Sequence, residues 1–191
     1  KAEKNDIYDA NIGVKRFNLR SNIDMEVSKS TKVSVDLAMQ YLINNYPGTG
    51  TSSIFRQMLI TPPYTFPAKY SDGTIATYEQ ERDGNMKNPY NLLNHSGYAK
   101  EYRTAIQSKV NINQKLDFIT QGLSANVNIS YDYSGEMIVR RSYNPTRYHA
   151  TGRDPETNKL IFDTVVSGDT GLQDPTNSSN ASTKYIYLDA S

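Results

Sequence analysis

Along LSANVNISYDY, residues 123–133, apolar and polar side chains alternate without a miss. Leu123, Ala125, Val127, Ile129, Tyr131 and Tyr133 share one parity, and Ser124, Asn126, Asn128, Ser130 and Asp132 share the other. Successive side chains of a strand point to opposite faces, so this segment reads as a strand with one apolar and one polar face. Residues 17–27 repeat the pattern: Phe17, Leu19, Ile23, Met25 and Val27 oppose Asn18, Arg20, Asn22, Asp24 and Glu26, with Ser21 the exception. In residues 32–44, Val33, Val35, Leu37, Met39, Tyr41 and Ile43 oppose a set containing Lys32, Ser34, Asp36 and Gln40. A weaker version covers 102–115, where Tyr102, Ile106, Val110 and Ile112 share a parity with Thr104 and Ser108. The pattern predicts four strands, near 17–27, 32–44, 102–115 and 123–134, in an all-β antiparallel fold.

The connections are lopsided. SKST, residues 28–31, predicts a short polar hairpin turn, and DFITQG before the fourth strand predicts one helical turn closed by a left-handed Gly122. By contrast, long loops are expected near 45–101 and 135–184. In the first, Thr51 or Ser52 caps a short helix with Ile54, Phe55, Met58 and Leu59 on one side, and Pro62-Pro63 ends it. SDG at 71–73 is a turn, and NPYNLLNHSGY at 88–98 is expected to pack back onto its own loop. The second, with RDPETNK and GLQDPTNSSNAS, is expected to be polar enough to be mobile. Loops of this length are uncommon in compact domains unless they bind something.

Which way the apolar faces look decides the function. A strand of about 11 residues spans about 36 Å, and a tilt of about 40–45° leaves about 26 Å along a barrel axis, near the apolar band of an outer-membrane barrel. Short turns at one end and long loops at the other fit that plan. Phe17, Tyr41, Tyr102, Tyr131 and Tyr133 lie on the apolar parity toward the long-loop end, as an interfacial aromatic girdle would. Four strands cannot close a barrel, so the chain, which begins at Lys1, reads as an internal segment whose edges are paired by neighbours. The alternative is a soluble, secreted carbohydrate-binding β-sandwich or barrel with the apolar faces turned inward; a structural adhesin would have similar strands.

Composition narrows this further. With 21 basic and 20 acidic residues dispersed along the chain, nothing calls for nucleic acid. The absence of cysteine excludes disulfides and thiolate metal sites, and no apolar run is long enough for a membrane-spanning helix. Fifteen tyrosines and no tryptophan supply amphipathic aromatics suited to an interface or a sugar surface. His95 and His149 have no ligand-like spacing, and there is no GxSxG, no phosphate loop and no nucleophilic thiol. Neither an enzyme nor a cofactor is expected.

Several blocks carry a resemblance. KRFNLRSNIDMEVSKSTKVSVDL (15–37), YPGTGTSSIFRQMLITPPYTFPAKYSDG (46–73), NPYNLLNHSGY (88–98), IQSKVNINQKLDFITQGLSANVNISYDY (106–133) and ATGRD (150–154) resemble the SusC/RagA family of TonB-dependent outer-membrane transporters of the Bacteroidetes. The resemblance implies a barrel of about 22 strands with an N-terminal plug, no part of which is identified in 1–191. It also implies a SusD-like surface lipoprotein as a lid, TonB as the energy source, and oligosaccharide or peptide as cargo.

On that reading Val35, Leu37, Val127 and Ile129 face lipid. Arg20, Asp24, Glu26, Asp36, Lys109, Asn111, Asn126 and Asn128 face the lumen. Tyr64, Tyr70, Tyr78, Tyr90 and Tyr98 are candidates to meet substrate or lid from the first loop, and Arg140 and Arg141 are a candidate grip for an acidic partner.

Overall fold

The structure is a computed structural model that describes residues 7–8, 10–81 and 86–191, with the backbone alone at 177–179. The fold is all-β. Among the described residues, seven strands and two short helices follow in the order β1 (Gly13–Glu26), β2 (Thr31–Pro47), α1 (Thr51–Ile60), α2 (Pro89–Asn94), β3 (Gly97–Lys115), β4 (Ser124–Ser142), β5 (Arg147–Arg153), β6 (Leu160–Val166) and β7 (Thr176–Ala190). Five of the strands form an open sheet in the order β1-β2-β3-β4-β7, while β5 and β6 pair as a separate antiparallel hairpin.

The register of the large sheet follows from its bonds. Glu26 pairs with Lys32, and Gln40 with Asn18, across the β1–β2 hairpin. Gly48 N–H donates to Gly97 O and Lys115 N–H to Ser30 O, which makes β2–β3 antiparallel with no net slip. Leu116 N–H donates to Leu123 O beside the β3–β4 turn, and Asn126 and Ser191 exchange both backbone bonds between β4 and β7. The turn at 27–30 is held by Ser28, whose hydroxyl donates to Thr31 Oγ1 at 2.8 Å. The turn before Gly122 closes with that glycine at φ +83° and its N–H on Asp117 Oδ1.

Two compact units divide the chain. Among the described residues, one comprises 14–44, 101–138 and 178–191 and is sheet apart from the turns 27–30 and 116–123; the other takes those within 1–13, 45–100 and 139–177 and holds the long connections. Within the second, Asn88 caps α2 by accepting from Tyr90 N–H, while its Nδ2 donates to Ala68 O and Ala76 O, both at 2.7 Å. Here α2 packs back onto its own connection, as its turn-rich sequence leads one to expect. Tyr8 and Ala10 form a small core with Tyr98, Tyr143 and Leu172 against them.

Three features depart from the sequence pattern. The strands outrun the alternation: β1 starts at Gly13, β2 runs to Pro47, β3 starts at Gly97 and β4 runs to Ser142. The region 135–184 is not a loop throughout, because it contains the end of β4, the β5–β6 hairpin and the first half of β7. Helix α1 does not bury the side expected of it. Gly50, without a side-chain cap bond, stands at its N-terminus; Ile54 and Gln57 are buried, and Phe55, Met58 and Leu59 are exposed. The reason is polar: Gln57 Oε1 accepts from Lys87 N–H at 2.9 Å and so turns that face inward. No helix among the described residues is long and apolar enough to cross a membrane, which says nothing of strands.

Candidate functional site

The register places complete rows of side chains across the sheet unit. One apolar row reads Ile23, Val35, Val110, Ile129, Leu188, taking one residue from each strand, and an adjacent one reads Met25, Val33, Ile112, Val127. Val35, Leu37 and Val127 are half-buried and Ile129 is 41% exposed. None of the four has become core. Toward the far ends of the strands the same face carries aromatics. Phe17 stacks on Tyr41 with ring centroids 6.4 Å apart, and Tyr41, Tyr102 and Tyr133 line one shallow depression with Thr104 and Gly135. Tyr133 lies over Gly135 so closely that a Cβ there would meet its ring, an arrangement in which an aromatic covers a bare glycine of the sheet.

The opposite face is mostly polar, with Ala38, Leu42, Ala105 and Ile138 among the exceptions. Arg20, Asp24, Glu26, Asp36, Lys109, Asn111, Asn126 and Asn128 all fall on it by parity and register. Arg20, Asp36 and Lys109 share a depression of about 410 Å³ with Asn22, Gln107, Ser130, Asp132 and Tyr187. Asn111 Nδ2 donates to Asn126 Oδ1 at 2.7 Å and to Asn128 Oδ1 at 2.8 Å, and Asn128 in turn donates to Asp189 at 3.4 Å. Glu26 pairs with Lys32 at 2.9 Å. Charges of both signs are interspersed, so the face offers hydrogen bonds to a hydrated ligand rather than a field of one sign.

Two parts of this face were missed in the sequence. Toward its other end Asn44, Glu101, Arg103 and Glu136 form a network: Asn44 Nδ2 donates to Glu101 at 2.6 Å, and Arg103 bridges Glu101 at 2.5 Å and Glu136 at 3.1 Å. Extending the parity of Gln107 and Lys109 back to 101 would have found it. On β7, Tyr185 and Tyr187 stack at 6.2 Å on the polar side, next to Asp132 and Ser130 by register, while Ile186 and Leu188 take the apolar side. Their alternation was visible in KYIYLD, but not which parity belonged to which face.

The tyrosines of the first connection have different fates. Tyr64 is 88% exposed. Tyr70, Tyr78, Tyr90 and Tyr98 are half-buried. Of these, Tyr70 accepts from Ala150 N–H and packs on Phe162, Tyr90 lies beside His95, and Tyr98 lies beside Tyr8. Arg140 and Arg141 sit on β4 rather than in a loop, and Arg141 is spent on the carbonyls of Gln173 and Leu172. Among the described residues no three His, Cys, Asp or Glu side chains gather to hold a metal.

Outside the sheet two carboxylates are held below their ordinary range. Asp72 accepts from Thr74 N–H in the turn that Gly73 closes, and Asp154 accepts from the N–H groups of Thr157 and Glu156 in the β5–β6 turn. No family model, no curated protein and no solved structure matches the chain.

Proposed function

We propose that the chain forms part of the wall of a transmembrane β-barrel in the bacterial outer membrane. The barrel belongs to a SusC/RagA-type TonB-dependent importer that takes up oligosaccharides or peptides with a SusD-like lipoprotein lid. The observation that carries this reading is the apolar face itself. Ile23 is 50% exposed, Ile129 41% and Leu188 72%, in one row across a sheet whose other face is mostly polar. A soluble sandwich hides one face of each sheet, whereas contiguous apolar surface of this extent marks contact with a partner or a membrane. Lipid solvates such a face if every backbone group is paired in the ladder, which the long antiparallel strands provide except at the β1 and β7 edges. In the barrel those edges pair with neighbouring strands.

The parts then take roles. The aromatic row of Phe17, Tyr41, Tyr102 and Tyr133 sits at the headgroup level, where one end of each ring is wet. The polar face lines the lumen, and Arg20, Asp36, Lys109 and Tyr187 offer passing cargo both charge-assisted and neutral hydrogen bonds. The turns 27–30 and 116–123 are periplasmic. The connections 48–96 and 143–175 are extracellular and meet the lid.

The test is extraction and gel mobility. The full-length protein carrying this chain is expected to leave the membrane fraction only with detergent and to migrate differently before and after boiling. Release into buffer without detergent, with a single mobility, sinks the reading.

A further inference from the structure

We propose that the buried Glu81–Arg147 pair is a latch that makes the two long connections open and close as one body. Glu81 lies in the connection 48–96, and Arg147 begins β5 in the connection 143–175. The guanidinium meets the carboxylate with both arms of its fork: Nε donates to Oε2 at 2.9 Å and Nη2 to Oε1 at 2.7 Å. Glu81 is 4% exposed and Arg147 6%. The Thr77 hydroxyl also donates to Glu81 Oε2, and Arg147 Nη1 donates to Asn144 Oδ1 at 2.6 Å and Pro145 O at 3.2 Å.

Around the pair the two connections are joined by directional bonds and by aromatic packing. Thr77 N–H donates to Tyr148 O and Tyr148 N–H to Ile75 O, forming a one-residue parallel bridge between Ala76 and Tyr148. Ala150 N–H donates to the Tyr70 hydroxyl at 2.9 Å. Phe162 packs on Tyr70 and Tyr148, with centroids 5.1 and 6.0 Å away. These contacts hold the two connections together alongside the pair, but a buried charge that loses its partner leaves an uncompensated charge, a cost that apolar contacts do not offset. Separation must therefore hydrate both charges at once, so a partial opening of one connection is disfavoured. Anything that binds one connection is then felt by the other, whatever protein this chain serves.

The experiment is amide hydrogen exchange by mass spectrometry on the full-length protein and its Glu81→Gln variant. Exchange in 70–78 and in 147–162 is expected to rise together, by about a hundredfold, while 105–112 in β3 is unchanged. A rise confined to 70–78, or no rise, overturns the latch. Thr77→Val removes only the hydroxyl bond to Glu81 and is expected to give the same paired rise at about tenfold. That variant decides the matter if Glu81→Gln does not fold: a one-sided or absent rise in it overturns the latch equally.

Discussion

Leu37→Arg puts a charge in the middle of the apolar face. From Tyr41, in the aromatic row, to Thr31, beside the turn, β2 advances about 33 Å, which a tilt of about 40° reduces to about 25 Å, the height of a barrel's apolar band. Leu37 lies about 10 Å below the aromatic row on that scale, close to the midplane. The register puts Ser21 and Ser108 directly opposite it, so few apolar partners are lost in the exchange. On a face wetted by water the half-buried leucine therefore costs about 1 kcal/mol to replace. In lipid an arginine near the midplane costs about 2–4 kcal/mol. Gln107→Arg is the matched control: it lies at the same depth on the polar face, opposite Asp132, where a new cross-strand pair is neutral or favourable by a few tenths to about 1 kcal/mol. The assay is denaturant unfolding of the full-length protein in lipid vesicles, read from the folded band of unboiled samples. A gap of about 2 kcal/mol or more between the two variants is expected. Equal penalties refute the assignment of faces.

Gly97→Ala is expected to be severely destabilising, by at least about 1–3 kcal/mol, because Gly97 has φ +87° and a Cβ there would run into the Arg141 carbonyl. Gly50→Ala, with open space around it, is the control, and thermal unfolding separates the two. Asn88→Ala removes a helix cap worth about 1 kcal/mol and strips two carbonyls of a donor at about 1–3 kcal/mol together. It should raise protease sensitivity in 61–96 first. Asp154 is held below its ordinary value of 3.8 by the Thr157 and Glu156 amides. Since the folded value is depressed, its contribution to the β5–β6 turn is complete above the unfolded value and is lost as pH falls through the folded one. Amide exchange at 154–158 should therefore quicken only below about pH 4, and Asp154→Asn should show no such dependence.

What the sequence reveals follows from which side chains do the work. The middles of β1 to β4 were legible because each separates two environments, and period-two alternation records that separation. The pattern fails where the environments stop differing. From Ser134 to Arg141 both parities of β4 carry apolar and polar residues, and from Thr176 to Thr183 the sequence of β7 is polar on both apart from Ala181, so only backbone bonding defines the strand there. Helix α1 misled because Gln57, through its bond to Lys87 N–H, ranks above three larger apolar residues in fixing the buried side. The Glu81–Arg147 pair left no trace in the sequence: its members are 66 residues apart, and either charge alone reads as solvated surface. The polar-face candidates from Arg20 to Asn128 needed only parity, whereas the stacking of Tyr185 on Tyr187 needed the pairing of β7 with β4.

The most direct measurement uses the chain's lack of cysteine. Single cysteines placed at each position from Val33 to Tyr41 of the full-length protein in lipid vesicles, nitroxide-labelled, report collisions with oxygen, which partitions into hydrocarbon, and with a nickel chelate, which stays in water. Oxygen maxima at Val33, Val35, Leu37, Met39 and Tyr41, out of phase with nickel maxima at the positions between them, are the expected result. Low accessibility to both reagents at the apolar positions would mean that protein covers that face and would contradict the account.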